Sequence, residues 1–178
     1  MYFFHDTIGL IHLIAAISSL IFGTAILIIT KGTQLHKKAG YVYVVSMVVT
    51  LATAFMIYRL WGGWGIFHYA AVISSVTLIG GMIPVITRYP TNSYIILHFS
   101  FMYWSVMGLY GAFFAEIMTR VPPLIFSDGN TVSIFLNTTG ITVGIVMAVG
   151  GYYFYKHKDH WAKQFQPFAE NRKEMQTQ

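Results

Sequence analysis

The sequence predicts an all-α integral membrane protein, organised as a single bundle of five transmembrane helices. Of its 178 residues, 56% are hydrophobic and only 10% are charged, whereas a soluble domain is about 45–50% apolar and about 25% charged. The apolar residues also fall in five long blocks rather than at the short period of a soluble helix or strand. This pattern excludes a disordered chain, and the lack of cysteine excludes disulfide frameworks and cysteine-ligated metal centres.

Five apolar runs are each long enough to cross the hydrocarbon core, which takes a helix of about 20 residues. They are Thr7–Thr30, Tyr41–Leu60, Ile66–Thr87, Tyr94–Met118 and Thr131–Tyr155. Helix-breaking residues lie between the runs. Residues 61–65 include three glycines, and residues 121–123 include two prolines. We therefore expect a five-helix transmembrane domain at residues 1–156 and a polar cytoplasmic tail at residues 157–178.

The basic residues predict the orientation of the bundle. Nine lie on one predicted side of the membrane: Lys31, Lys37, Lys38, Arg88, Lys156, Lys158, Lys163, Arg172 and Lys173. Only Arg59 and Arg120 lie on the other side. Since lysine and arginine concentrate in cytoplasmic loops, the N-terminus should face outward and the C-terminus should face the cytoplasm. A bacterial cytoplasmic membrane is the simplest location, and topology accounts for the net charge of +5 without nucleic-acid binding.

Three ionisable residues from different helices are predicted near the outer surface. His12, His68 and Glu116 each lie about 3–8 Å inside the outer end of a span, given the rise of an α-helix. Ionisable residues within spans are costly and usually functional. Two imidazoles and a carboxylate are a common ligand set for zinc or non-haem iron, so the three are candidate metal ligands. The alternative is that His68 is an interfacial histidine and that Glu116 pairs with Arg120.

A second set of histidines is predicted near the inner surface. His36 lies in the first cytoplasmic loop, and His98 lies about one turn inside the inner end of the fourth run. Two histidines on different helices can hold a metal or ligate the two faces of a haem. His12 with His68, and His36 with His98, would then be an outer and an inner pair of ligands. The alternatives are that His36 belongs to an ordinary basic loop and that the buried histidines bond to serine or to carbonyl groups.

Small residues predict close helix contacts at two places. Ala15, Ser19 and Gly23 share a face with His12, while Gly140 and Gly144 form a small-xxx-small pair on the fifth helix. Such residues let helices approach closely and also favour dimerisation. On the first helix they would in addition leave room for a flat cofactor.

Three segments resemble a known family. They are His12 with Gly23, the segment His36 to Tyr43, and His98 followed by Met102, Ser105 and Tyr110. These segments are similar to a family of predicted prokaryotic integral membrane proteins that is known only as a domain of unknown function. Lys37, Tyr41 and Phe101 stand where the family pattern has two arginines and a tryptophan. The resemblance covers roughly residues 8–120, and it implies a compact helical membrane fold and a role for the three histidines.

The function predicted from these residues is electron transfer in the membrane. The intramembrane histidines would bind haem b or a transition metal (zinc, iron or copper), and a quinone or a membrane redox partner would exchange electrons with it. Three alternatives remain open. The first is a zinc-dependent intramembrane lipid hydrolase built on His12, His68 and Glu116. The others are a small transporter and a non-catalytic partner subunit, and a homodimer is compatible with each.

Overall fold

Five α-helices make up the described part of the chain in the computed structural model. The described residues are 7–57, 63–91, 93–120 and 131–174, and side chains are described within them except at 119–120, 131–137, 162 and 164–174. The helices are α1 (Thr7–Ile28), α2 (Gln34–Met56), α3 (Ile66–Thr87), α4 (Tyr94–Arg120) and α5 (Thr131–Glu174). No strand occurs among these residues, so the all-α prediction is confirmed.

Four of these helices, α1 to α4, are long and apolar enough to cross a membrane. This confirms the prediction of a membrane protein. Contacts within the chain divide it into two compact units, of which the first ends at Leu78 and the second begins at Ile79. The first unit therefore holds α1, α2 and most of α3, and the second holds the end of α3 with α4 and α5.

α2 begins at Gln34, ahead of the predicted start at Tyr41. Thr33 caps the helix, because its hydroxyl accepts a hydrogen bond from the backbone N–H of His36 at 3.1 Å. Such a cap satisfies a backbone donor that has no partner within the helix. The polar residues 34–40 therefore join the helix although they carry no hydropathy signal.

α1 and α2 pack against each other through small residues of α1. Ala15, Ser19 and Gly23 are buried, and α1 makes extensive contacts with α2. The bulky side chains of Ile14 and Ile21 are each 60% exposed, as expected for residues that face lipid. The small residues on this face thus serve the close packing of α1 on α2.

Hydroxyl groups line the same contact between α1 and α2. We call Ser18, Ser19, Ser46, Thr50 and Thr53 the hydroxyl seam. The hydroxyl oxygens of Ser18 and Ser46 are 2.8 Å apart, and those of Ser19 and Thr50 are 3.5 Å apart. Thr50 also donates to the carbonyl oxygen of Ser46 at 2.8 Å. Because hydrocarbon offers no hydrogen bonds, these polar groups are satisfied within the helix pair.

One lysine closes the C-terminal end of α1. The ammonium nitrogen of Lys31 donates to the carbonyl oxygens of Ile26, Leu27 and Ile29 at 2.8, 2.7 and 3.1 Å. These carbonyls lie where intrahelical donors run out. Burial lowers the pKa of Lys31 from its ordinary value, because desolvation penalises the charged form. Lys31 is thus one of the basic residues that predict the orientation of the bundle, and it is also a helix cap.

Two adjacent glycines bring the end of α3 close to α4. A Cβ at Gly80 would lie 2.9 Å from Cδ1 and Cε1 of Phe101, and a Cβ at Gly81 would lie 2.7 Å from Sδ of Met102. A side chain at Gly80 would therefore collide with the ring of Phe101, and one at Gly81 would require the side chain of Met102 to move. Pro84 also lies inside α3, and its missing N–H leaves the carbonyl of residue 80 without its usual intrahelical donor.

α4 and α5 run antiparallel and are joined by aromatic side chains. The hydroxyl of Tyr103 donates to the carbonyl oxygen of Gly150 at 2.8 Å. One turn earlier on α4, the ring of Phe99 stacks on Phe154, with centroids 6.5 Å apart and planes at 12°. The same ring meets Trp161 edge to face at 4.9 Å. Earlier residues of α4 thus meet later residues of α5.

α5 continues beyond the predicted end of the fifth span at Tyr155. It is 44 residues long and passes through residues that the sequence predicted as a polar tail. At about 1.5 Å per residue the helix is about 66 Å long, which exceeds the hydrocarbon thickness of about 30 Å. An existing helix propagates far more easily than a new one nucleates, and the contacts of Trp161 with α4 support this extension.

The contact of Gly80 with Phe101 predicts that valine at position 80 destabilises the protein more than valine at position 144. Gly80→Val should lower the unfolding free energy by about 1–3 kcal/mol, the usual cost of overpacking, because the ring of Phe101 occupies the space. Gly144→Val is the matched control, since no atom lies within 4 Å of its Cβ position. Thermal unfolding in detergent measures both, and an equal loss in the two variants would contradict the packing described.

Candidate functional site

His12 lies in the second turn of α1 and contacts α2. Its Nδ1 atom is 3.1 Å from the carbonyl oxygen of Thr50 and 2.9 Å from the hydroxyl oxygen of Thr53. The hydroxyl of Thr53 donates to the carbonyl oxygen of Val49 at 2.7 Å, so it accepts from the imidazole. Nδ1 therefore carries the hydrogen, and Nε2 of the neutral ring keeps its lone pair.

His98 lies in the second turn of α4 and makes the same kind of contact with α3. Its Nδ1 atom is 2.7 Å from the carbonyl oxygen of Gly81. A carbonyl can only accept, so Nδ1 is again the protonated nitrogen and Nε2 is again basic. The close approach of α4 to Gly81 makes this short bond possible, since a Cβ there would overlap Met102.

In His68 the Nδ1 atom accepts a hydrogen bond, whereas in His12 and His98 it donates one. His68 is only 3% exposed, and its Nδ1 atom accepts the backbone N–H of Gly65 at 3.1 Å. Its own backbone N–H donates to the carbonyl oxygen of Gly65 at 3.0 Å. The imidazole thus satisfies the backbone N–H of the residue that precedes α3, which is one half of a capping box; Gly65 has no side chain to supply the other half. With Nδ1 as acceptor, the neutral ring of His68 carries its hydrogen on Nε2, and Trp64 stacks on it at 5.3 Å.

The other two predicted site residues lie at helix ends. His36 is half-buried in the first turn of α2, where its backbone N–H is capped by Thr33. Glu116 is half-buried near the C-terminal end of α4. Their predicted roles, His36 as a ligand paired with His98 and Glu116 as a metal ligand, stay predictions.

The candidate ligands differ in the unit to which they belong and in their hydrogen bonds. His12, His36 and His68 belong to the first unit, while His98 and Glu116 belong to the second. Among the residues that the structure describes, no three histidine, aspartate or glutamate side chains form a group suited to one metal ion. His12 and His98 are the two whose Nδ1–H is fixed on a backbone carbonyl of a neighbouring helix.

The residues that hold these two imidazoles are Thr50, Thr53 and Gly81, and sequence reasoning missed them. One signal was present on α2, where residues 46, 50 and 53 follow helical spacing and are all hydroxyl-bearing. Another was the Gly-Gly pair ahead of a proline in α3. Neither signal identifies a histidine as the partner, because that depends on how each helix is rotated about its axis.

No family model, curated protein or solved structure matches this chain. The resemblance to a domain of unknown function therefore stays a prediction.

The contact between His12 and Thr53 predicts a measurable coupling energy. In a double-mutant cycle of His12→Ala and Thr53→Val, the coupling should be about 0.6 kcal/mol, and at most about 1.7 kcal/mol, as found for hydrogen bonds between transmembrane helices. The control cycle pairs Thr53→Val with Ser18→Ala, because Ser18 bonds to Ser46. Its two effects should add, and the absence of coupling in the first cycle would contradict the assigned bond.

Proposed function

We propose that the protein is a histidine-ligated haem protein of the membrane that transfers electrons. The observation that supports this is shared by His12 and His98. Each donates Nδ1–H to a backbone carbonyl of a neighbouring helix and so retains a basic Nε2. Metal-binding histidines almost always anchor their second nitrogen in this way.

The number of protein ligands favours haem over a zinc site. A catalytic zinc ion takes three protein ligands, and the described residues offer no such group. A haem iron takes one or two axial ligands from the protein, so a single anchored imidazole is a sufficient starting point. His68 fits this role less well than His12, because its Nδ1 already accepts a hydrogen bond.

The chain's own residues would prepare these ligands. Thr50 and Thr53 fix the tautomer and orientation of His12, and Gly81 does the same for His98. Hydrogen bonds of this kind also raise the basicity of the ligating nitrogen. A bound haem would supply one-electron chemistry, with a membrane quinone or a redox protein as the partner.

The proposed topology has five spans, with the N-terminus outside and the C-terminus in the cytoplasm of a bacterial cell. The supporting observations are the four apolar helices, the antiparallel packing of α5 on α4 and the distribution of the basic residues. In this arrangement His12 lies toward the outer surface and His98 toward the inner surface.

Haem binding is tested by absorption spectra of the purified protein, oxidised and reduced, after expression with haem and metals supplied. A Soret band that shifts on reduction is expected. His12→Gln and His98→Gln should each remove about half of the haem, because each imidazole would serve a separate site. Glutamine keeps an N–H donor for the carbonyl, so a purely structural histidine would tolerate the change.

The matched control is His157→Gln, whose imidazole bonds within α5 to the carbonyl of Tyr153; its haem content should be unchanged. A colourless wild-type protein without metal would overturn the proposal. A colourless protein with stoichiometric zinc would instead favour the hydrolase with His12, His68 and Glu116.

The topology is tested by cysteine labelling, which is straightforward because the chain has no cysteine. In intact cells, a membrane-impermeant maleimide should label Trp64→Cys and spare Lys38→Cys and Lys158→Cys. All three should react once the membrane is permeabilised. Labelling of the lysine positions in intact cells would reverse the proposed orientation.

A further inference from the structure

The aromatic contacts with α4 determine which side of α5 faces away from α4. Trp161 lies 4.9 Å from Phe99 and 6.0 Å from Tyr103, measured between ring centroids. Phe154 lies 5.1 Å from Tyr103 and 5.7 Å from Trp104. Residues 154 and 161 are seven apart and so share one helix face. This face is held against α4, and the opposite face is directed away from it.

The same contacts place residues 155–161 at one end of α4. Phe99 stacks on Phe154 and also meets Trp161, and it lies only five residues after α4 begins at Tyr94. Five residues correspond to about 7.5 Å along a helix. The apolar span of α4 starts at Tyr94, so in the proposed topology residues 155–161 lie at the level where α4 enters the membrane. Lipid headgroups occupy this level.

Exposed tyrosine and lysine side chains of α5 lie at this level or within one turn of it. Tyr152, Tyr155 and Lys156 are on the side away from α4, and Lys158, four residues after Phe154, is at the edge of the side that contacts α4. Tyr152 and Tyr155 are 68% and 67% exposed, and Lys156 and Lys158 are also exposed. We call these four residues the tyrosine–lysine face. The ammonium nitrogen of Lys156 lies 5.8 Å from the ring centroid of Tyr152, and that of Lys158 lies 5.1 Å from the centroid of Tyr155. Each lysine is thus held beside a ring, with N–H groups available for another acceptor.

We propose that the tyrosine–lysine face binds the phosphate groups of anionic phospholipids. Tyrosine is enriched at the headgroup level because its ring is apolar and its hydroxyl is polar. Clustered lysines beside a membrane span attract anionic lipids. The charge is complementary, since Lys156, Lys158 and Lys163 outnumber Asp159 and leave residues 152–163 with a net charge of +2 when their histidines are neutral.

The site is tested by thermal unfolding of the full-length protein in neutral detergent. Short-chain phosphatidylglycerol should raise the unfolding midpoint, and short-chain phosphatidylcholine should raise it much less. The double variant Lys156→Gln/Lys158→Gln should lose the shift caused by phosphatidylglycerol. Its midpoint without lipid should stay close to that of the wild type, because both lysines are exposed.

The matched control is Lys37→Gln/Lys38→Gln, which removes the same charge from exposed positions on α2 and should keep the shift. Equal loss of the shift in both double variants would show general charge attraction and overturn the proposal. Equal stabilisation by the two lipids would overturn it as well. The haem content of Lys156→Gln/Lys158→Gln should equal that of the wild type, so the result is independent of the proposed haem function.

Discussion

Polar groups that enter hydrocarbon must find their hydrogen-bond partners on the protein itself, because the surrounding lipid offers none. This constraint explains the polar contacts of both units. In the first unit, His12 and the hydroxyl seam join α1 to α2 over nearly two turns. In the second, His98 and Tyr103 each donate to the carbonyl of a glycine on a neighbouring helix. Bonds of this kind contribute modestly to stability, but they restrict how the helices can be rotated.

Glycine makes these contacts possible. Neighbouring side chains normally cover a backbone carbonyl. Gly81 and Gly150 have no side chain, so their carbonyl oxygens are accessible to His98 and Tyr103 of α4. A Cβ at Gly150 would lie 2.9 Å from Sδ of Met107, so α5 as well as α3 depends on glycine for its distance from α4. The same small residues that permit dense packing thereby also expose the acceptors for histidine and tyrosine.

Hydropathy predicts the helical, membrane-embedded class, because four of the spans are long apolar runs. It does not predict where α2 begins or where α5 ends. α2 starts early because Thr33 caps a polar first turn, and α5 runs on to Glu174 because helix propagation needs no further apolar residues. The sequence also identifies the histidines as candidates without distinguishing them. The acceptor role of Nδ1 in His68 depends on its position in a helix cap, which a residue pattern alone does not reveal.

The length of α5 carries its C-terminal end far beyond its packing on α4. Glu174 lies nineteen residues after Tyr155 in the same helix, about 28 Å along the axis, and Pro167 within this stretch cannot donate to the carbonyl of residue 163. The aromatic packing of Trp161 against Phe99 holds the first part of this stretch on α4, so a bend at Pro167 would redirect residues 168–174 without disturbing that packing.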